Sequence, residues 1–243
     1  MIGFYDYTTL LTYLSLLSAS CGIVVALAGP GHPFMACFFL MFCGFCDAFD
    51  GKVARTKKDR TDLERNYGIQ IDSLSDLVAF GVLPACMGGS LILDSTYLNR
   101  LAELYRDKWF FVLGALVLFA ILLLYVLAAM IRLAYFNVTE EERQKTEGGV
   151  RKYYTGLPVT TAALIFPLVM LAQYLSEADI SLAYIAVALL TALAFVSKLQ
   201  VPKPGLKGIL AMLAAGLVIL AIMILSILLK DPSVNFLSIF VSH

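Results

Sequence analysis

Residues 8 to 29 contain no charged side chain, and a run of that length crosses a bilayer as one helix. Six further apolar runs repeat the pattern: from 34 into the residues around 47, then 69–93, 110–131, 157–175, 180–197 and 208–229. Backbone groups in hydrocarbon must bond within their own segment, so seven such runs predict an all-α, polytopic membrane helix bundle. Glycine and proline punctuate it at GPGHP (29–33) and in the connector SKLQVPKPGLKG (197–208), and Pro84 predicts a kink inside the third span. The composition agrees, with 60% hydrophobic residues and a mean hydropathy of +0.84. No internal repeat and no separate soluble stretch interrupts the series, so residues 1–243 are expected to form one integral-membrane domain.

The charges are balanced overall, 18 basic against 18 acidic residues, so net charge points to no partner; nucleic acid is not expected as one. Their distribution is informative. With seven spans, fourteen Lys and Arg fall on one side, in Lys52–Arg65, Arg132–Lys152 and Lys198–Lys207. Four fall on the other: Arg100, Arg106, Lys108 and Lys230. The positive-inside rule puts the fourteen in the cytoplasm of a cell-membrane protein. The first Lys or Arg is Lys52, so no basic region precedes the first span and a cleaved leader is not expected.

Against this background four carboxylates stand out. Asp47 and Asp50 are three apart, Asp72 and Asp76 four apart, spacings that place each pair on one helix face. The first pair ends one apolar run and the second opens another. An acid deep in a bilayer costs about 2.5–3.5 kcal/mol, and four together repel one another unless cations neutralise them. Oxygen-only ligands select hard divalent ions, Mg²⁺ or Mn²⁺, and two facing pairs suit two ions and in-line displacement at phosphorus. Gly51 and Ala54 lie on the first stripe and admit a flat ligand, or merely a neighbouring helix; Arg55 can grip phosphate. The two histidines, His32 and His243, leave no histidine zinc site or triad. Cysteines 21, 37, 43, 46 and 86 form an odd set within apolar stretches, which predicts free thiols, with the Cys43/Cys46 pair serving as small packing residues.

The order D-x2-D-G-x2-A-R followed by G-x3-D-x3-D resembles the signature of the CDP-alcohol phosphotransferases, carried here by Asp47, Asp50, Gly51, Ala54, Arg55, Gly68, Asp72 and Asp76. The resemblance implies a six-helix membrane core, to which the seventh span is an addition, with a polar cavity open to the cytoplasm. By motif position it implies metal ligation by Asp47, Asp50, Asp72 and Asp76, with Asp76 also the general base on the acceptor hydroxyl. Gly51, Ala54 and Gly68 would line cytidine, with Arg55 near the phosphates. The twelve residues between Arg55 and Gly68 exceed the family's usual gap, so a longer polar loop is expected there.

IDSLSDLVAFGVLPA, RLAYFNV and YYTGLPVTTAA resemble the corresponding stretches of bacterial and archaeal phosphatidylserine synthases, although Tyr135 stands where many of those carry a second arginine. This implies transfer from CDP-diacylglycerol to L-serine in phospholipid biosynthesis, with CMP as the second product, and a homodimer. Arg132 and Asn137 are candidates for binding the acceptor or a phosphate; interface snorkelling and a helix end are the plainer roles. Arg151 and Lys152 fit loop charges. Glycerol 3-phosphate or inositol phosphate is the alternative acceptor, and a divalent-cation transporter is the alternative of another class.

Overall fold

The computed structural model describes residues 3–28, 32–54, 56–104, 108–146, 153–176, 178–203 and 205–230. Arg55, Arg151, Lys152 and the tail from Asp231 lie outside the described residues, as do Gly29 to Gly31 of the expected first turn. Helix α1 (Leu10–Leu27) packs along α2 (His32–Ala54), and the two approach closely at Gly22, where a β-carbon would stand 2.9 Å from Phe39 Cβ. Cys43 faces the same seam, its Sγ 3.3 Å from the Ser15 carbonyl. The Cys43/Cys46 pair is buried and unoxidised, serving packing as its position predicts.

Helix α3 (Asp62–Asp76) starts at a capping box: the Thr61 hydroxyl accepts from the Glu64 amide, and the Glu64 carboxylate accepts from the Thr61 amide. It runs without a break into a π-helical turn, Leu77–Val82, and then α4 (Leu83–Leu93). The turn begins immediately after Asp76. It re-aims the helix between the carboxylate stripe and the buried face of Ala79, Phe80, Leu83 and Met87. Pro84 has no N–H to offer the carbonyl of Phe80 four residues back, and the Tyr125 hydroxyl donates to it instead. Tyr184 likewise donates to the Pro84 carbonyl at 2.7 Å. The expected kink is thus a π turn whose backbone is satisfied by two tyrosines from other helices.

After α5 (Thr96–Leu104), α6 (Lys108–Thr146) has 39 residues, about 58 Å at the helical rise, so it projects well beyond a bilayer core. The projecting end carries the ion pairs Glu140–Arg143 and Glu141–Lys145. Strand β1 (Tyr153–Thr155) follows, then a 3₁₀ turn (Val159–Thr161), α7 (Ala162–Ser176), α8 (Ser181–Val196), β2 (Gln200–Pro202) and α9 (Leu206–Lys230). β1 and β2 pair antiparallel, Tyr154 opposite Val201, and tie together the segments that flank α7 and α8. Tyr125, Phe166, Tyr184 and Phe195 join α6, α7 and α8, with neighbouring ring centroids 5.0–5.6 Å apart. The other surface is inverted relative to a water-soluble protein: Leu113, Leu123, Leu190, Leu217 and Leu229 are exposed, as lipid contact requires.

Six helical stretches among the described residues are long and apolar enough to cross a membrane. The remaining expected span, 180–197, forms α8, which has 16 residues and a length of about 24 Å. The protein is an all-α polytopic bundle, its strands confined to two three-residue pieces among the described residues.

Candidate active site

The carboxylates come from two helices that face each other. Asp47 and Asp50 project from the last turns of α2, and Asp72 from α3; one oxygen of each lies within 4.8 Å of the others. Asp76 lies one turn beyond Asp72, is 7% exposed, and lines the same cavity as Asp47 and Asp72, outside that close cluster. Three carboxylates this close, with oxygen donors only, fit a hard divalent cation, which would supply the positive charge that otherwise only proton uptake could replace.

The cavity holds about 1210 Å³. Its polar end is formed by Asp47, Gly51, Lys52, Asp72, Ser73, Asp76, Arg132 and Asn137, and its walls are mostly apolar, from α2, α7 and α9. Gly51 lines it as expected; Ala54 and Gly68 are not on its wall, and Arg55 is outside the described residues. A β-carbon at Gly44 would stand 2.6 Å from Ala163 Cβ, so glycine there lets α7 close directly on α2 beside the cavity.

Arg132 is 6% exposed, and its Nε donates to the Leu157 carbonyl at 3.1 Å while the guanidinium carbon lies 5.3 Å from the Phe136 ring. The buried cation is therefore held in place and lines the cavity, rather than snorkelling. Gly156 makes this possible. Its φ of +78° suits glycine, and a β-carbon would stand 2.5 Å from the Phe195 carbonyl and 3.3 Å from Arg132 Nε. Asn137 donates from Nδ2 to Ser73 Oγ at 2.7 Å, which links α6 to the carboxylate helix between Asp72 and Asp76. Tyr135 is more than half exposed and absent from the cavity wall.

Three lining residues escape a reading of the sequence: Ser73, Tyr154 and Lys203. Tyr154 packs against Phe136 at 5.6 Å, and Lys203 Nζ lies 5.9 Å from the Tyr154 ring. Both reach the site through the β1–β2 pairing, which no local pattern announces. Ser73 had a weak signal, its place between two aspartates.

Half of the twelve residues between Arg55 and Gly68 belong to α3, so the expected long loop is shorter than the gap, and the N-terminal segment braces it. Lys57 bridges Asp6 at 2.7 Å and Glu64 at 2.9 Å, and Tyr13 and Tyr67 share a hydrogen bond of 2.9 Å. The Lys57 ammonium and the Thr8 hydroxyl hold the Asp6 carboxyl down to about 2. A carboxyl with a depressed folded-state pKa stabilises above its unfolded value, so this brace is intact from about pH 4 upward and is lost as pH falls towards 2.

Comparison with known proteins agrees with this geometry. The family model for CDP-alcohol phosphatidyltransferase matches residues 7–242. The chain belongs to that family. An archaetidylserine synthase from Methanothermobacter thermautotrophicus is 33% identical over 191 residues, 78% of this chain and 68% of that protein. CDP-diacylglycerol–serine O-phosphatidyltransferases from Saccharomyces cerevisiae and Helicobacter pylori (strain 26695) are 34% and 29% identical. Those matches cover 66% and 56% of this chain, and about half of each relative: 51% and 46%. Membership of that family removes the case for a cation transporter, in which the aspartates had a role but Gly51, Ala54 and Arg55 had none.

Proposed function

We propose that this CDP-alcohol phosphatidyltransferase moves the phosphatidyl group of CDP-diacylglycerol, or of a lipid built like it, to L-serine, giving the phosphatidylserine-type lipid and CMP. One observation carries the reading: Asp47, Asp72 and Asp76 share a single cavity with a buried arginine and an asparagine, and Asp50 completes the carboxylate cluster with Asp47 and Asp72. Relatives named as serine transferases support the acceptor.

Asp47, Asp50 and Asp72, with Asp76 beside them, would hold Mg²⁺ or Mn²⁺, one ion or two. Bound there, the metal supplies neutralising charge for the carboxylates and for the donor's diphosphate. Gly51 gives the cytidine room against the α2 backbone, and Arg55 contacts phosphate; the motif also sets Ala54 and Gly68 against the cytidine, but neither is on the cavity wall, and Arg60 lies across Gly68. Asp76 accepts the proton of the serine hydroxyl as its oxygen bonds to the lipid-bearing phosphorus; the bond from that phosphorus to the bridging oxygen breaks, and its electron pair leaves with CMP. Arg132, with Asn137, meets the serine carboxylate. Among the described residues Arg132 is the one buried cation on the wall, beside the less buried Lys52 and Lys203, and its guanidinium suits a carboxylate. The apolar walls exclude water, which would otherwise compete with serine for the phosphorus.

The whole chain acts as one domain in this reading. The charge of the basic loops supports a site on the cytoplasmic face of the cell membrane, and the homodimer rests on family resemblance alone. The deciding experiment is CMP release by the purified protein from CDP-diacylglycerol, with Mn²⁺ or Mg²⁺, across serine, glycerol 3-phosphate and inositol phosphate. Serine-dependent release is expected, abolished by EDTA and lowered at least a thousandfold by Asp76→Asn. Release with another acceptor and none with serine would sink the acceptor assignment.

A further inference from the structure

Among the described residues the loop joining α2 to α3 carries Lys57, Lys58 and Arg60. Lys57 is held by Asp6 and Glu64, and Lys58 is exposed to solvent. Arg60 is different. Its Nη2 donates to the Glu64 carbonyl at 3.2 Å, and its Nε is buried without a hydrogen-bond partner. No carboxylate pairs with it among the described residues. A guanidinium has five N–H donors and keeps its charge, so a half-buried one with a single carbonyl partner is short of acceptors.

Its direction is set by the start of α3. Arg60 immediately precedes the capping residue Thr61, and its side chain runs down the helix past Glu64 to Gly68. Glu64, Gly68, Asp72 and Asp76 recur every four residues and share one face. A β-carbon at Gly68 would stand 2.5 Å from Arg60 Nη2, so the guanidinium rests on bare glycine backbone. Asp72 comes one turn later, about 6 Å further along the axis. A cation and an acidic cluster thus face each other along one stripe, a turn apart, and neither neutralises the other. An anion that accepts from the guanidinium and also shares the cation bound by the carboxylates fits between them; a diphosphate does both.

We infer that Arg60, a residue of the loop between α2 and α3, binds the diphosphate of the nucleotide-linked donor. The inference rests on the proposed transfer from a CDP-linked lipid, and its test includes a readout that needs no turnover. Wild type, Arg60→Ala, Arg60→Gln and Arg60→Lys, all full-length, are titrated with CDP in the presence of Mn²⁺. Donor and serine KM follow from CMP release, and thermal midpoints from the same preparations. Loss of one charge-assisted bond predicts about a tenfold rise in CDP Kd and donor KM for the Ala and Gln variants. Serine KM should stay within twofold, and lysine should recover part of the loss. Should Ala fail to fold, Gln and Lys carry the comparison. Unchanged CDP affinity and donor KM, with only a lowered thermal midpoint, would show Arg60 to be a loop anchor and overturn the inference. A wild type that binds CDP in an Arg60-dependent way yet releases no CMP would sink the transfer reading alone; one that does not bind CDP would sink both.

Discussion

Asn137 stands at the point where α6 touches the carboxylate helix, and a change there separates acceptor binding from metal binding. Asn137→Ala removes the bond to Ser73 without touching an aspartate. It is expected to raise serine KM about three- to tenfold, the loss of one neutral hydrogen bond, while donor KM stays within twofold. Steady-state kinetics with each substrate varied in turn would check this; an equal rise in both would place Asn137 with the donor. At this scale the sequence was most legible where spacing does the work. Asp47 with Asp50, and Asp72 with Asp76, lie within a turn of each other, so helix geometry alone puts each pair on one face. The roles of Ser73 and Lys203, and the lie of Arg60 across Gly68, depend on which helix or strand arrives opposite, and no spacing encodes that.

Among the elements, the helix that runs from Asp62 through the π turn to Leu93 sets the position of Asp72 and Asp76 relative to the core. Its weak point is the carbonyl freed by Pro84, and Tyr125 covers it. Tyr125→Phe keeps the ring packing against Phe166 and Phe195 but leaves the Phe80 carbonyl unpaired in the interior. The expected cost is about 1–3 kcal/mol, read as a lower denaturation midpoint in detergent, with activity falling as the aspartates lose their alignment. An unchanged midpoint would mean that the π turn satisfies the carbonyl by itself. The proline made a bend legible in the sequence. That the bend would be a π turn completed by tyrosines some 45 and 100 residues away was not, because a hydroxyl partner leaves no periodic trace. Asp179 does similar work at the other end of the bundle. Burial works to raise its pKa, but bonds from Ser181, Thr96 and the Tyr97 amide prevail and hold the carboxyl below the ordinary range, pinning the starts of α5 and α8 together.

For the molecule as a whole, the prediction concerns sidedness. The loop of Thr56 shares a face with the aspartate site, and Asn99 belongs to the segment near Asp179 at the far end. In intact cells, with Cys21 replaced by Ala, a cysteine at position 99 is expected to react with a membrane-impermeant maleimide. One at position 56 should react only after the membrane is opened. The reverse result would turn the site outward and contradict the positive-inside assignment. The apolar runs made the bundle legible at this scale, but α8, read in the sequence as a full span, has only 16 residues. The β1–β2 pairing resolves its standing through connectivity. Residues 156–199 leave from β1 and come back to β2, and the two strands are hydrogen-bonded to each other. The excursion is a closed circuit: whatever distance α7 travels outward, α8 must travel home. The short helix is therefore the return leg of a hairpin with a fixed neck, and α9 sets out from the same side of the membrane on which α6 ended.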